Sequence, residues 1–269
     1  MKSKRLSYPY VGWMALFVLA PMVLITGYAF LSAEGSFTLE NFRAMGMFGA
    51  AFGRSFLLAA IATVICVLIG YPLAYFLARE RGWIHRMATM LIMLPMWMNF
   101  LLRTYSWSFL LERNGLINNF FGLFGLGPFQ MIDTQGAIVL GMVYNYLPYM
   151  ILPIFSVIDK IDPKVIEAAQ DLGASSSVVF RRVTLPLSLP GVLSGITMVF
   201  IPSVSTFAIS GLLGGGKTLL LGNLIDMQFL GNAYNPHLGS AISLVMMILV
   251  LVCMAVMNRF GDGEQGVTL

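Results

Sequence analysis

The chain has 269 residues, 58% of them hydrophobic and only 10% charged, with a mean hydropathy of +0.83. Soluble domains carry about 25% charged residues, so there is too little polar surface here to cover a globule in water. That excludes a soluble enzyme or binding module, and the net charge of +4 calls for no nucleic-acid partner.

Six segments are apolar enough to cross a hydrocarbon core, which takes about 20 helical residues. They lie near 10–31, 54–78, 87–111, 136–158, 189–213 and 239–258. The runs are continuously apolar, without the alternation of a barrel strand, so helices are predicted. The first follows Lys2, Lys4 and Arg5, contains Pro21 and ends at Phe30 to Glu34 without a small-x-small cleavage site, so it reads as a retained span. In the third, Asn99, Arg103 and Trp107 recur every four residues and are predicted to share one helix face, with Trp97 and Tyr105 elsewhere on it. An arginine near a helix centre costs roughly 2.5–3.5 kcal/mol on insertion scales, so Arg103 should turn from lipid. The fourth clusters Tyr144, Asn145, Tyr146, Pro148 and Tyr149, with Asn145 and Tyr149 one turn apart. Two readings stay open for these polar residues: hydrogen bonding between helices, or the lining of a pathway. Cys66 and Cys253 fall inside spans as small packing residues, and no metal-ligand spacing accompanies them.

Basic residues set the orientation. One alternate set of segments holds eleven: Lys2, Lys4, Arg5, Arg79, Arg81, Arg86, Lys160, Lys164, Arg181, Arg182 and Arg259. The other holds four: Arg43, Arg54, Arg113 and Lys217. The bias predicts one six-helix membrane domain over 1–269, with both termini in the cytoplasm.

The cytoplasmic loop 159–188 reads as two short helices and a turn. Asp162 is an N-cap with Pro163 at the first helical position, Gly173 suits a left-handed cap, and a serine at 175–177 can start a second helix that Pro186 stops. Ile166, Ala169 and Leu172 are predicted to pack under the bundle, with Glu167 and Asp171 pointing elsewhere. Farther on, Gly211 to Thr218 fits the phosphate-loop pattern GxxxxGK[ST]. That motif needs a strand before it and a helix after it in an α/β core. Here it follows a span on the outer side, so a loop at the external mouth is expected and not a nucleotide site.

Glu167-Ala168-Ala169, then Gly173, Val183 and Leu185-Pro186, resemble the EAA loop of permease subunits in bacterial ATP-binding-cassette importers, with Val183 in the place usually held by isoleucine. Leu94-Pro95 through Trp107, Leu147-Pro148 and Leu220 through Phe229 narrow the resemblance, over nearly the whole chain, to the first membrane subunit of spermidine/putrescine importers. The resemblance implies an all-helical permease of the bacterial inner membrane that carries no catalytic residue, metal or cofactor. Glu167, Ala168, Ala169 and Gly173 would dock a cytoplasmic ATPase dimer that uses ATP and Mg. A sister permease and an extracytoplasmic polyamine-binding protein would complete the machine. Trp97, Asn99, Tyr105, Trp107, Tyr144, Asn145 and Tyr149 are the candidate pathway residues, since aromatic faces attract ammonium groups. The chain departs from the family at Gly211, where relatives often carry an acid, so carboxylates for a polycation are expected from the sister subunit. Arg103 would suit another cargo of the same machine, such as sulfate or molybdate, and ferric iron is a further alternative. A secondary transporter would call for an internal repeat or an intramembrane acid relay, and neither is visible.

Overall fold

The computed structural model describes residues 8–80, 82–231 and 233–261. Lys2, Lys4, Arg5 and Arg81, four of the basic residues used for orientation, lie outside them. Among the described residues every regular element is a helix, and one isolated bridge pairs Leu31 with Phe37. Five helices are long and apolar enough to span a membrane, or six when one bent pair is taken as a single span.

Helix α1 runs over Tyr8–Met14, a π-helical turn at Ala15–Leu19, and Ala20–Phe30. A short α2 (Glu40–Met45) leads through a 3-10 turn into α3 (Gly49–Arg79). Next come α4 (Trp83–Trp97), α5 (Phe100–Leu111), α6 (Leu116–Gly122) and α7 (Gln135–Ile158). The loop helices are α8 (Pro163–Asp171) and α9 (Ser176–Val179). A π turn at Phe180–Thr184 joins α9 to α10 (Leu185–Ser205), and α11 (Ala208–Leu213), α12 (Leu221–Phe229) and α13 (Pro236–Gly261) complete the order.

Helices α3, α7 and α10 form the centre. Leu58 and Ala62 of α3 pack on Ile138 and Met142 of α7, while Cys66 and Ala74 join Met150, Ile154 and Val199 lower down. Close approach of α10 to α7 depends on small residues. A Cβ at Gly195 would lie 2.7 Å from Met150 Sδ, and one at Gly191 would lie 2.9 Å from the Pro153 carbonyl. Small residues at such crossings let membrane helices gain dispersion contact where the hydrophobic effect gives none. Helix α1 leans on α13, with Ala29 buried against Ala241 and Leu244 and His237 Nδ1 3.1 Å from the Tyr28 carbonyl oxygen.

Two expectations about continuity are corrected. The third span is not one helix: α4 and the helical stretch from Phe100 meet at 92°. Pro95 withholds a backbone donor near the end of α4, and the Asn99 side chain accepts from the N–H groups of Leu101 (2.8 Å) and Leu102 (3.3 Å), starting a new helix. Asn99 is therefore a cap outside the helix and does not share a helical face with Arg103 and Trp107. The fifth span ends at Ser205, short of 213, and Pro186 does not stop the helix before it. Helix continues from Ser176 to Ser205, and the π turn just ahead of Pro186 supplies the slack a proline requires.

Candidate functional site

The loop that carries Glu167 is built from its caps inward. The Asp162 carboxylate accepts the Lys164 N–H at 3.0 Å, and Pro163 opens α8. At the other end Gly173 adopts φ 83°, its N–H donating to Gln170 O at 2.8 Å while the Ala174 N–H donates to Ala169 O at 3.1 Å. These bonds close the helix in the left-handed cap that glycine enters without steric cost. Ser175 stands at the N-cap position of α9 without a side-chain bond.

Ile166 and Ala169 are half-buried, Ile166 lining a cleft with Tyr75 and Ile158 of the bundle, whereas Leu172 is 90% exposed. The reason is that α8 ends at Asp171, so Leu172 swings out on the capping turn instead of completing the face. Val165 and Val178 of the same two loop helices are exposed apolar side chains too. Glu167 lines a cleft of about 510 Å³ with Gln170, Arg79, Glu80 and His85, and forms no ion pair among the described residues. Arg79 stands 5.0 Å over the Tyr75 ring, and His85 Nδ1 lies 3.2 Å from the Glu80 carbonyl oxygen, holding the start of α4 beside the cleft. The loop thus offers an acid, small residues and bare apolar side chains to whatever approaches. The sequence pattern singled out Glu167 to Ala169 and Gly173 but missed Leu172, whose signal was its place one residue before the capping glycine.

The seven candidate pathway residues divide into two groups. Trp107, Tyr144 and Asn145 come together inside the bundle. The Trp107 and Tyr144 rings meet edge to face at 5.5 Å, and Asn145 Nδ2 donates to Gly141 O (2.9 Å) and Thr104 Oγ1 (3.4 Å). Asn145 is fully buried and ties α7 to α5, which fits the interhelical hydrogen-bonding reading. Trp97, Asn99, Tyr105 and Tyr149 instead lie on exposed faces, Trp97 at 77% beside the break between α4 and α5. Arg103 turns inward and is 6% exposed; its Nε and Nη1, like Asn145 Oδ1, find no partner among the described residues.

Gly211 to Thr218 has no strand before it. It begins inside α11 and turns through Gly214 to Thr218 ahead of α12. Asn223 of α12 holds α11, its Nδ2 donating to Phe207 O at 3.1 Å and its Oδ1 accepting from Ser210. The arrangement is a bracket between two short helices, without the geometry of a phosphate cradle.

Residues 70–262 match the family described as the binding-protein-dependent transport system inner membrane component. The chain belongs to that family. Within this inner-membrane component family, the spermidine/putrescine transport system permease protein PotB of Escherichia coli K12 is 36% identical over 250 residues, covering 89% of this chain and 90% of the relative. The protein of the same description from Haemophilus influenzae is also 36% identical, over 92% of this chain and 90% of its own length. Among solved structures, a bacterial ABC transporter involved in the import of the acidic polysaccharide alginate superposes with a TM-score of 0.84 at 16% identity, over 97% of this chain and 95% of that one. The last match shows a shared fold, while the family match and the identity to the two permeases carry the role. The chain is therefore a membrane-spanning transporter subunit.

Proposed function

We propose that this chain is the permease subunit of an ATP-driven importer for polyamines, spermidine and putrescine. Similarity to the two spermidine/putrescine permeases across about nine tenths of the chain is the observation that carries the reading. In it, six spans place both termini in the cytoplasm, the bent pair α4 and α5 counting as one. A sister permease completes the membrane part, and a binding protein outside delivers cargo. A pair of ATPase subunits holds the ATP and Mg, and this chain binds no cofactor itself.

The coupling follows from the loop. Glu167 presents an unpaired carboxylate to an arginine on the ATPase. Ala168, Ala169 and Gly173 allow close approach, and Leu172 supplies the apolar contact. Closure of the ATPase pair then moves α8 and, through the uninterrupted helix from Ser176, the bundle. On the pathway side, Trp97, Tyr105 and Tyr149 lie on faces this chain leaves open, where ammonium groups passing between the two permeases would meet aromatic rings, worth about 0.5–2 kcal/mol each. The inward turn of Arg103 removes it as an argument for sulfate or molybdate, because its charge does not line an open face.

Labelled spermidine uptake into vesicles holding this chain with its partner subunits, with and without ATP, tests the reading. ATP-dependent uptake that putrescine blocks and sulfate does not is the expected result. ATP hydrolysis without spermidine entry would leave an importer with a different cargo. Gly173→Pro and Glu167→Lys are expected to lower uptake while the chain remains in the membrane; full uptake and full ATPase co-purification in both would remove the docking role.

A further inference from the structure

Asp133 stands just before Thr134, the N-cap of α7. It is the one non-glycine residue with positive φ (62°) among the described residues, and its N–H donates to Leu213 O at 2.9 Å. That bond sets the Asp133 carboxylate against the glycine turn after α11. Gly215, itself at φ 57°, has no room for a side chain, because a Cβ there would overlap the carboxylate. Two residues on, Lys217 Nζ donates to Asp133 Oδ2 at 3.3 Å, the single ion pair among the described residues. The run of glycines therefore bends the chain so that a lysine reaches one particular acid.

The pair sits at the opposite end of α7 from Ile158, which lines the cleft beside Glu167. A 24-residue helix spans about 36 Å, so Asp133 lies across the membrane from the docking loop. The lysine side chain is 63% exposed and the aspartate 31%, and an ion pair this open to water is readily exchanged. The chemistry of the arm is the informative part. Lysine carries four methylenes ending in a primary ammonium, which is the aminobutyl end shared by putrescine and spermidine. We propose that Asp133 is an outer-face receptor for the primary ammonium of a polyamine, occupied in the empty transporter by the tethered aminobutyl arm of Lys217. The proposal rests on the polyamine reading given above. Arriving cargo displaces the lysine and takes the carboxylate, and the lysine returns when the cargo moves inward, so no bond is made or broken.

A latch that only holds the two loops together predicts something different, and the sign of one substitution separates the two. The complex of this chain, its sister permease and the ATPase, reconstituted in nanodiscs without the binding protein, is titrated with labelled spermidine. Lys217→Ala removes the competitor and is expected to tighten spermidine binding by about two- to fivefold, the scale of an exposed ion pair. Asp133→Asn is expected to weaken it by a similar factor, and the double variant should bind as Asp133→Asn does. Weakening by Lys217→Ala comparable to that of Asp133→Asn would mean a latch and overturn the proposal, as would binding that neither substitution shifts. If the nanodisc complex does not bind spermidine and vesicles holding all partner subunits do not import it, the polyamine reading falls as well.

Discussion

Leu172 and Asn145 show how one side chain's surroundings decide what its loss does. Leu172 is 90% exposed in the isolated chain, and burying a leucine against a partner is worth about 2 kcal/mol. Leu172→Asp is therefore expected to weaken ATPase docking by roughly thirtyfold, read by co-purification, with the amount of chain in the membrane unchanged. Asn145 behaves in the opposite sense. Its side chain bonds within the bundle, so Asn145→Ala should lower the unfolding temperature in detergent and reduce transport only in proportion to folded protein. Trp97→Ala, on an open face, should leave that temperature unchanged and slow uptake. If Asn145→Ala slowed transport without loss of stability, its assignment to structure would be wrong.

Among the elements, the break between α4 and α5 is the feature hydropathy could not report. A hydropathy window sums apolarity along the chain and carries no direction, so 87–111 reads as one span although its halves meet at 92°. The signals were nonetheless present as Pro95 and Asn99, four residues apart, a helix breaker followed by a cap. Removing the cap with Asn99→Ala should cost about 1 kcal/mol, visible as a broadened distance distribution between spin labels on α4 and α5; an unchanged distribution would mean that packing alone holds the bend. The loop 159–188 was far more legible. Its N-cap at Asp162, its opening proline and its closing glycine are local chemistry, and each stands where the spacing put it. What stayed hidden was the direction of Leu172, which depends on whether α8 ends one residue earlier or later.

For the whole molecule, stability rests on the crossing of α3, α7 and α10. Glycines at 191 and 195 set the spacing, since methionine and proline groups of α7 fill the space a side chain would need. Gly195→Leu should force α10 away from α7, at a cost of about 1–3 kcal/mol or more for overpacking, and lower the yield of folded chain in detergent. Normal yield would mean that the crossing has slack. The long apolar runs and their approximate positions could be read from composition, because the bilayer demands such runs whatever their packing, while the described residues hold five helices long enough to span, or six with the bent pair taken as one. The division of the aromatic and polar residues between the bundle interior and the open faces could not, since it depends on which helices meet.

The helix that leaves the loop after Gly173 at Ser176 continues to Ser205 without a break, and this gives the proposed cycle a mechanical advantage. Thirty residues make a rod about 45 Å long, so a tilt of about 10° at one end sweeps the other through about 8 Å. A hinge at Pro186 would have absorbed that stroke in the loop. Carried through the π turn as a crank, it delivers a small rotation beneath the membrane as a displacement wide enough to open one mouth of the passage while shutting the other.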